Sequence, residues 1–185
     1  MRVLVFLMAA FLIRSPGRVS CDAVPDSAPV RFIGDFSDMR YTEEHAYGYF
    51  LELWESGTCV LGTLEVSNGL AGDTPMGLLS PVNYDRKTGA LSFMAKLTTG
   101  MTRLPSNGEW APTRDRFTFR GRLRRNTVEG TLAWSDQSSG SRSSRKERHV
   151  RLRRVPSGGE SIEVKTYGDW RRRIEEVLRF RGPNW

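Results

Sequence analysis

Short runs in which every second residue is apolar recur along most of the chain, and segments rich in Gly, Pro, Asn, Asp and Ser separate them. Alternation with a period of two is typical of β-strands with one buried face. The pattern predicts a meander of about eight strands. Their inward positions are Val30, Phe32, Gly34 and Phe36; Tyr49, Leu51 and Leu53; Val60, Gly62, Leu64 and Val66; Met76, Leu78, Val82 and Tyr84; Leu91, Phe93, Ala95 and Leu97; Phe117, Phe119, Gly121 and Leu123; Val128, Gly130, Leu132 and Trp134; and Val150 and Leu152.

The connections between these runs carry turn residues. Ser56-Gly57 predicts a tight hairpin, and the segment from Asp85 to Gly89 predicts a bulged one, because Asp opens type I turns and Gly adopts the left-handed conformation that closes them. Pro81 interrupts the fourth run. Because proline cannot donate to a ladder, we expect a bulge or a sheet edge there. The segment 98–114 is predicted to be a long loop.

The pattern changes after Pro156. Gly158-Gly159 predicts a flexible joint, and an amphipathic helix follows, with Asp169 as its N-cap and Gly182-Pro183 at its end. Its apolar stripe consists of Trp170, Ile174, Val177 and Leu178. We expect this stripe to dock on the outside or on one end of the β domain, because an exposed stripe of this size is a liability in water.

Four of the predicted inward positions are glycines: Gly34, Gly62, Gly121 and Gly130. Glycine inside a strand marks a sharp bend or a close approach of two backbones, and closed barrels need such bends. The fold class predicted is therefore mainly β, a single antiparallel up-and-down β-barrel of about eight strands with a C-terminal α-helix. A two-sheet sandwich is the alternative that the pattern leaves open.

The N-terminus has the layout of a secretory signal. Arg2 precedes an unbroken apolar run from Val3 to Ile13, which is too short to span a bilayer comfortably, and a polar segment with Pro-Gly follows. The predicted division is a signal peptide over 1–23, a β-barrel domain over 24–156, and a linker with a docked helix over 157–185. The mature chain would be secreted or periplasmic, with no transmembrane segment. A buried N-terminal element and lipid attachment at Cys21 are the alternatives.

Positive charge is concentrated in the second half of the chain, where residues 101–185 carry 20 basic and 10 acidic side chains. The densest run predicts a basic face made by Arg145, Lys146, Arg148, Arg151, Arg153 and Arg154. Such a face suits an anionic membrane surface, a polyanion or an acidic protein, or it is a solvated edge that discourages aggregation. The run lacks interleaved aromatic residues, which argues against nucleic acid.

Residues for catalysis or metal binding are scarce. The chain has two histidines, His45 and His149, far apart in sequence, and it lacks a nucleophile elbow and a phosphate-binding glycine loop. Glu52 and Glu65 could meet across the second hairpin, but on the outer face, where acid–base chemistry is not expected. We therefore predict no catalytic residue, no metal site and no cofactor. Cys59 is expected to be a small buried apolar residue, and a disulfide with Cys21 is left open.

The span from about residue 28 to 155 resembles the calycins, the barrel class of lipocalins and avidins, in layout. Lipocalins carry Gly-x-Trp in the first strand, with an arginine from near the last strand over the tryptophan. Gly34-Asp35-Phe36 stands in the corresponding place here, with phenylalanine for tryptophan. The resemblance implies a barrel in which Arg151, Arg153 or Arg154 covers the Phe36 ring. It implies no particular ligand, and the lipocalin disulfides are absent.

Together, these features favour an exported, non-enzymatic binding or accessory protein with an apolar barrel interior. The predicted lining is Phe32, Tyr49, Tyr84, Phe93, Phe119 and Trp134. The same side chains could instead fill a solid core. Two other functions stay open. One is a cavity enzyme of the isomerase or cyclase type, which would need a perturbed carboxyl or tyrosine facing an internal pocket. The other is an interaction module that binds anionic partners through its basic C-terminal half.

Overall fold

The computed structural model describes residues 21, 24–70, 74–138, 145–156, 164–183 and 185. The predicted signal peptide, except Cys21, and the Gly158-Gly159 joint lie outside these residues. The described strands are β1 (Arg31–Ser37), β2 (Arg40–Tyr41), β3 (His45–Ser56), β4 (Cys59–Leu70), β5 (Met76–Tyr84), β6 (Ala90–Leu97), β7 (Met101–Arg103), β8 (Trp110–Pro112), β9 (Asp115–Arg124), β10 (Thr127–Asp136) and β11 (Lys146–Val155). The helix α1 spans Tyr167–Arg181.

Eight strands form a closed antiparallel barrel in the order β1-β11-β10-β9-β6-β5-β4-β3, and β3 pairs again with β1. The predicted mainly β barrel with a C-terminal helix is confirmed, and the sandwich alternative is excluded. The short β2 adds to β3 at the rim. The prediction that 98–114 is a loop was wrong in part, because β7 and β8 form a separate hairpin within it. Strands of three residues are too short to produce a recognisable alternation.

A close approach of two backbones shapes the wall between β9 and β10. Gly121 and Gly130 lie directly opposite each other in the register, and a Cβ atom on either would collide with backbone atoms of the neighbouring strand. Glycine at both positions therefore lets these strands approach closely where the barrel coils, as the sequence predicted.

The strands β1 and β5 each contain a bulge. In both strands, the residues before the bulge face the opposite way from the prediction. In β1 the register slips between Phe32, opposite Trp54, and Gly34, opposite Leu53. Because one extra residue exchanges the two faces of a strand, Val30 and Phe32 lie on the outer wall, contrary to the prediction, whereas Phe36 lies inside.

The second bulge is the one predicted at Pro81. The register of β5 against β6 shifts between Leu79 and Val82. Leu79, which comes before the shift, points inward and is buried in the core. Met76 and Leu78, which the alternation assigned to the inside, pair with Glu65 and Thr63 on the outer face. Leu78 is accordingly 40% exposed.

The helix α1 packs on the outer wall of the barrel. Trp170 and Ile174 are buried in a second apolar cluster with Trp54, Cys59 and Leu61. This placement agrees with the expectation that Cys59 is a small buried apolar residue. The predicted N-cap was wrong by one turn, because Thr166 caps the helix and Asp169 completes a capping box with it.

Candidate ligand site in the barrel wall

Most of the predicted lining residues pack against one another inside the barrel. Tyr49, Phe93 and Phe119 are buried in the core, and Tyr84 and Trp134 are partly buried against it. The rings of Phe93 and Phe119 are stacked with their centroids 5.0 Å apart. Phe32 is the exception, because its ring packs on Trp54 beneath α1, 4.9 Å between centroids, on the outer wall. These contacts fill the interior around Phe93 and Phe119, so space for a ligand has to be found elsewhere.

That space opens where β5 parts from β4. The two strands pair only between Thr63–Glu65 and Met76–Leu78. After the bulge at Pro81, no ladder pairing joins β5 to the first residues of β4 in the described chain. We call the resulting opening the β4–β5 cleft. It is open to solvent, has a volume of about 970 Å³, and lies between Cys59 and Val60 on one side and Val82, Asn83 and Tyr84 on the other.

The floor of the cleft is apolar because it reaches the barrel core. Val60 and Leu91 belong to the core cluster, and Val82 and Tyr84 pack against it. Val60 and Leu91 are 4% and 2% exposed, so the floor is formed by side chains that the fold already holds in place. A volume of this size is at the upper end of what small-molecule sites use.

The rim of the cleft is basic. It includes Arg86 and Lys87 in the β5–β6 turn and Arg120 on β9. Arg86 spans the mouth, because its guanidinium donates to the Gly57 carbonyl (2.6 Å) and to Glu55 Oε2 (3.1 Å) across the β3–β4 turn. Arg86 is thus bound to the opposite turn, which ties the two sides of the mouth together.

One carboxylate also lines the rim. Asp85 accepts hydrogen bonds from the Thr88 hydroxyl (2.8 Å) and the Lys87 amide (2.8 Å). These bonds hold the pKa of Asp85 below its usual value. The Asp85 carboxylate therefore holds the β5–β6 turn together. In this turn Gly89 adopts φ +72°, the left-handed conformation predicted for it. Among the described residues, no carboxylate forms an ion pair with Lys87 or Arg120. Those two cations can attract an anionic group of a ligand, although the charge of Lys87 also acts on Asp85 and helps to lower its pKa.

A second groove, of about 550 Å³, lies at the other end of the barrel between the β7–β8 hairpin and the end of α1. Leu104, Phe180 and Trp185 line it together with Arg114. Phe180 is 86% exposed, and the Trp185 indole donates to the Leu97 carbonyl at 3.3 Å. This groove is bordered by chain ends and loops rather than by core side chains, so it is a less rigid site than the β4–β5 cleft.

Two buried carboxyl groups lie side by side on the outer wall beneath α1. Asp35 and Glu52 are opposite each other in the β1–β3 register. Glu52 accepts hydrogen bonds from Arg173 on α1 (2.6 and 3.3 Å) and from the Trp54 indole (2.8 Å). Burial, followed by the charge of Glu52, raises the pKa of Asp35 to about 6. Asp35 Oδ1 has no hydrogen-bond partner among the described residues.

These carboxyls do not supply the group that a cavity enzyme would need. Asp35 is perturbed, but it lies on the outer wall and is not among the residues that line the β4–β5 cleft. Glu65 likewise lies on the outer face, as predicted, where Arg181 binds it at 2.7 Å. Burial raises the pKa of Tyr49, against the opposing effect of Arg148, yet Tyr49 is packed in the core and does not line the cleft.

The predicted cation over the first-strand aromatic ring is confirmed, and it is Arg154. Its guanidinium carbon lies 5.1 Å from the centroid of the Phe36 ring. The same group donates to the Ile33 carbonyl (2.6 Å) and the Arg125 carbonyl (2.9 Å). Arg154 therefore joins the start of β1 to the end of β11 and the β9–β10 turn, at one end of the barrel.

The six predicted basic-face residues do not share one surface. Arg151 and Arg153 point outward from β11, on the opposite side from Val150 and Leu152. Arg148 and Arg154 occupy inward register positions, at opposite ends of the strand, and contact Tyr49 and Phe36. Arg145 and Lys146 are exposed where β11 begins. The outward arginines of β9 were not part of the predicted basic face, although they lie two strands away on the same wall: Arg116, Arg120, Arg122 and Arg124.

Among the described residues, no group of three or more His, Cys, Asp or Glu side chains is arranged to hold a metal ion. In the same part of the chain, no helix has the length and apolar character needed to cross a bilayer. Comparisons of the chain with protein-family models, with curated proteins and with solved structures gave no match.

Proposed function

We propose that this chain is an exported, non-enzymatic binding protein, and that its ligand is a small amphipathic molecule with an acidic group. The observation that carries the proposal is the β4–β5 cleft, whose apolar floor reaches the core and whose rim carries Lys87 and Arg120. An apolar ligand body would contact Val60, Val82 and Leu91. Its acidic group would lie at the rim, where the attraction of Lys87 and Arg120 outweighs the repulsion of the single carboxylate of the lining, Asp85.

The layout of the barrel supports this proposal. A closed antiparallel barrel of eight strands is compatible with a calycin-like architecture, and many calycins bind small apolar molecules. In this chain Arg154 lies over the Phe36 ring at one end. The stacked rings of Phe93 and Phe119 fill the middle. The ligand would therefore enter through the wall rather than through the centre of the barrel.

The size of the cleft sets the expected affinity. A ligand that buries about 200 Å² of apolar surface gains about 5 kcal/mol, and the loss of its translational freedom offsets part of this. One charge contact at a half-exposed rim adds about 1 kcal/mol. The sum before that offset is about 6 kcal/mol, so we expect dissociation constants in roughly the high micromolar to millimolar range.

The test is a titration with decanoate, which has an apolar body and one carboxylate, followed by displacement of a fluorescent apolar anion. Val82→Trp should fill the cleft and weaken decanoate binding about tenfold or more, because it replaces the ligand's contacts with the floor. Leu78→Trp is the matched control, since Leu78 lies on the same strand but faces outward. Equal affinities of the two variants would contradict the placement of the site.

The acidic group is tested separately. Lys87→Glu should weaken decanoate binding several-fold and leave the binding of decanol unchanged, because only the carboxylate meets the reversed charge. Arg40→Glu makes the same change in net charge on an exposed residue of β2, away from the cleft. If the two variants weaken decanoate equally, the rim does not recognise the carboxylate.

A further inference from the structure

Two parallel rows of arginines lie on the outer wall of the barrel, on the side formed by β9, β10 and β11. Arg120, Arg122 and Arg124 point outward from β9, alternating with the inward Phe119 and Leu123. Arg151 and Arg153 point outward from β11. Successive outward residues of a strand are about 7 Å apart, and two strands separated by a third are about 10 Å apart.

The strand between the rows carries shorter side chains. Thr127 lies between Arg124 and Arg153, and Glu129 lies between Arg122 and Arg151. Farther along β10, Thr131 and Ala133 take the outward positions. Because these side chains are shorter than arginine, the surface of β10 forms the floor of a shallow trough between the two rows. We call this surface the arginine trough.

The positive charge of the arginine trough is largely uncompensated. Glu129 pairs with His149 (3.3 Å) and approaches Arg151 (3.9 Å). Within the described residues, no carboxylate forms an ion pair with Arg120, Arg122, Arg124 or Arg153. Cations this close repel one another in the free protein, and a bound polyanion would relieve that repulsion.

The chemistry of the wall favours one class of polyanion. The large apolar side chains that are exposed in the described chain are Tyr41, Tyr47, Leu70, Leu78, Met101, Trp110 and Phe180, and none of them lies on β9, β10 or β11. The trough therefore offers no aromatic surface on which nucleic-acid bases could stack. It also offers no apolar group to insert into a bilayer.

Hydroxyl groups accompany the cations on this wall. Thr127 and Thr131 lie along the floor, and Ser92 lies beside the β9 row on β6. Thr118 lies in the β9 row itself, where its hydroxyl donates to the Ala133 carbonyl at 3.4 Å. Guanidinium groups recognise sulfate and carboxylate through paired hydrogen bonds, and hydroxyls bond to sugar hydroxyls. We propose that the arginine trough binds a linear anionic polysaccharide, with its sulfate or carboxylate groups on the arginine rows and its sugar rings over β10.

This inference is independent of the β4–β5 cleft, and its test avoids the one residue that both surfaces share, Arg120. The probe is a sulfated dextran fragment, with binding measured over a series of salt concentrations. The test variant replaces Arg122, Arg124 and Arg153 with serine. The control variant replaces three other exposed arginines, Arg40, Arg114 and Arg179, with serine, and so loses the same charge away from the trough.

The full chain should bind sulfated dextran with an affinity that falls as salt rises, because the polyanion releases condensed counterions. The trough variant should lose about tenfold or more in affinity and should show a shallower salt dependence. The control variant should stay within about twofold. Circular dichroism and thermal melting of both variants confirm that each is folded.

Three results would overturn the inference. The first is absence of binding by the full chain. The second is an equal loss of affinity in the trough variant and the control variant, which would mean that only net charge matters. The third is binding of duplex DNA, single-stranded DNA or phosphatidylglycerol vesicles at least as tight as that of sulfated dextran. In that case the wall would recognise phosphate polymers or a membrane surface instead.

Discussion

The packing of α1 on the barrel wall makes a quantitative prediction about stability. Ile174 is 3% exposed and lies in the second apolar cluster with Trp54 and Leu61. Ile174→Ala removes three buried carbon atoms and leaves a cavity under the helix. Substitutions of this kind cost 2 to 5 kcal/mol, so we expect the free energy of unfolding to fall by about 3 kcal/mol.

The measurement is urea unfolding followed by tryptophan fluorescence and circular dichroism, with Phe180→Ala as the matched control. Phe180 lies on the same helix but is 86% exposed, so its truncation should change the free energy of unfolding by less than about 0.5 kcal/mol. For a chain of this size, the loss at Ile174 also corresponds to a drop in melting temperature of about 6 to 12 °C.

Two results would refute the reasoning behind this prediction. Equal destabilisation by the two substitutions would mean that the buried and exposed faces of α1 are not those described. If Ile174→Ala lowers the free energy of unfolding by less than about 1 kcal/mol, and the slope of that free energy against urea concentration is unchanged, the helix contributes little to the fold.

The remaining predictions concern the outer carboxyl pair, the end of the barrel and the β9–β10 wall. Asp35→Asn should stabilise the protein increasingly as pH rises from 4 to 7, by up to about 3 kcal/mol. Its folded pKa of about 6 exceeds the ordinary 3.8, so ionisation of the folded state costs stability as pH rises between these values; parallel stability curves for the two proteins would contradict this. Arg154→Met should lower the free energy of unfolding by about 2 kcal/mol, because two carbonyls lose their donor and Phe36 loses the cation. Arg153→Met should lower it by less than about 0.5 kcal/mol. Chemical denaturation of the pair decides this, and equal losses would refute it. Gly121→Ala should destabilise by more than about 2 kcal/mol, since its Cβ collides with backbone of β10; a neutral effect on the melting temperature would refute the close approach.

The alternation of apolar residues was sufficient to predict strands that contain no bulge. In β9, Phe117, Phe119 and Leu123 all point inward, as a period of two requires. In β1 the same alternation continues without a visible break from Val30 to Phe36, although a bulge separates Phe32 from Gly34. The alternation alone therefore could not show that Phe32 faces outward, because the alternating positions keep their spacing of two across the bulge.

Two other features had a correct signal in the sequence, but a stronger signal nearby favoured a different interpretation. Thr166 and Asp169 form the Thr-x-x-Asp arrangement of a capping box, but Asp169 stands next to the apolar stripe and is itself a favoured N-cap. The outward arginines of β9 alternate with buried Phe119 and Leu123, yet the denser run near residue 150 was the more conspicuous. Whether residues on strands two apart lie on one surface can be judged only when the register of those strands is known.

The β4–β5 cleft was the least predictable feature. Pro81 indicated a bulge, but it did not indicate that β5 would separate from β4 beyond it. Separation of two strands depends on the whole barrel, because the coil of the other strands decides where a ladder ends. Tyr84 was the one predicted lining residue that borders the opening.

The most direct test of the proposed function is a map of the ligand site in solution. Amide chemical shifts of the isotope-labelled protein would be followed during titration with decanoate. We predict saturable shifts centred on Val60, Val82, Tyr84 and Lys87, around the β4–β5 cleft. Absence of saturable shifts at millimolar decanoate, or shifts centred on Leu104 and Phe180 in the groove at the other end, would contradict the account.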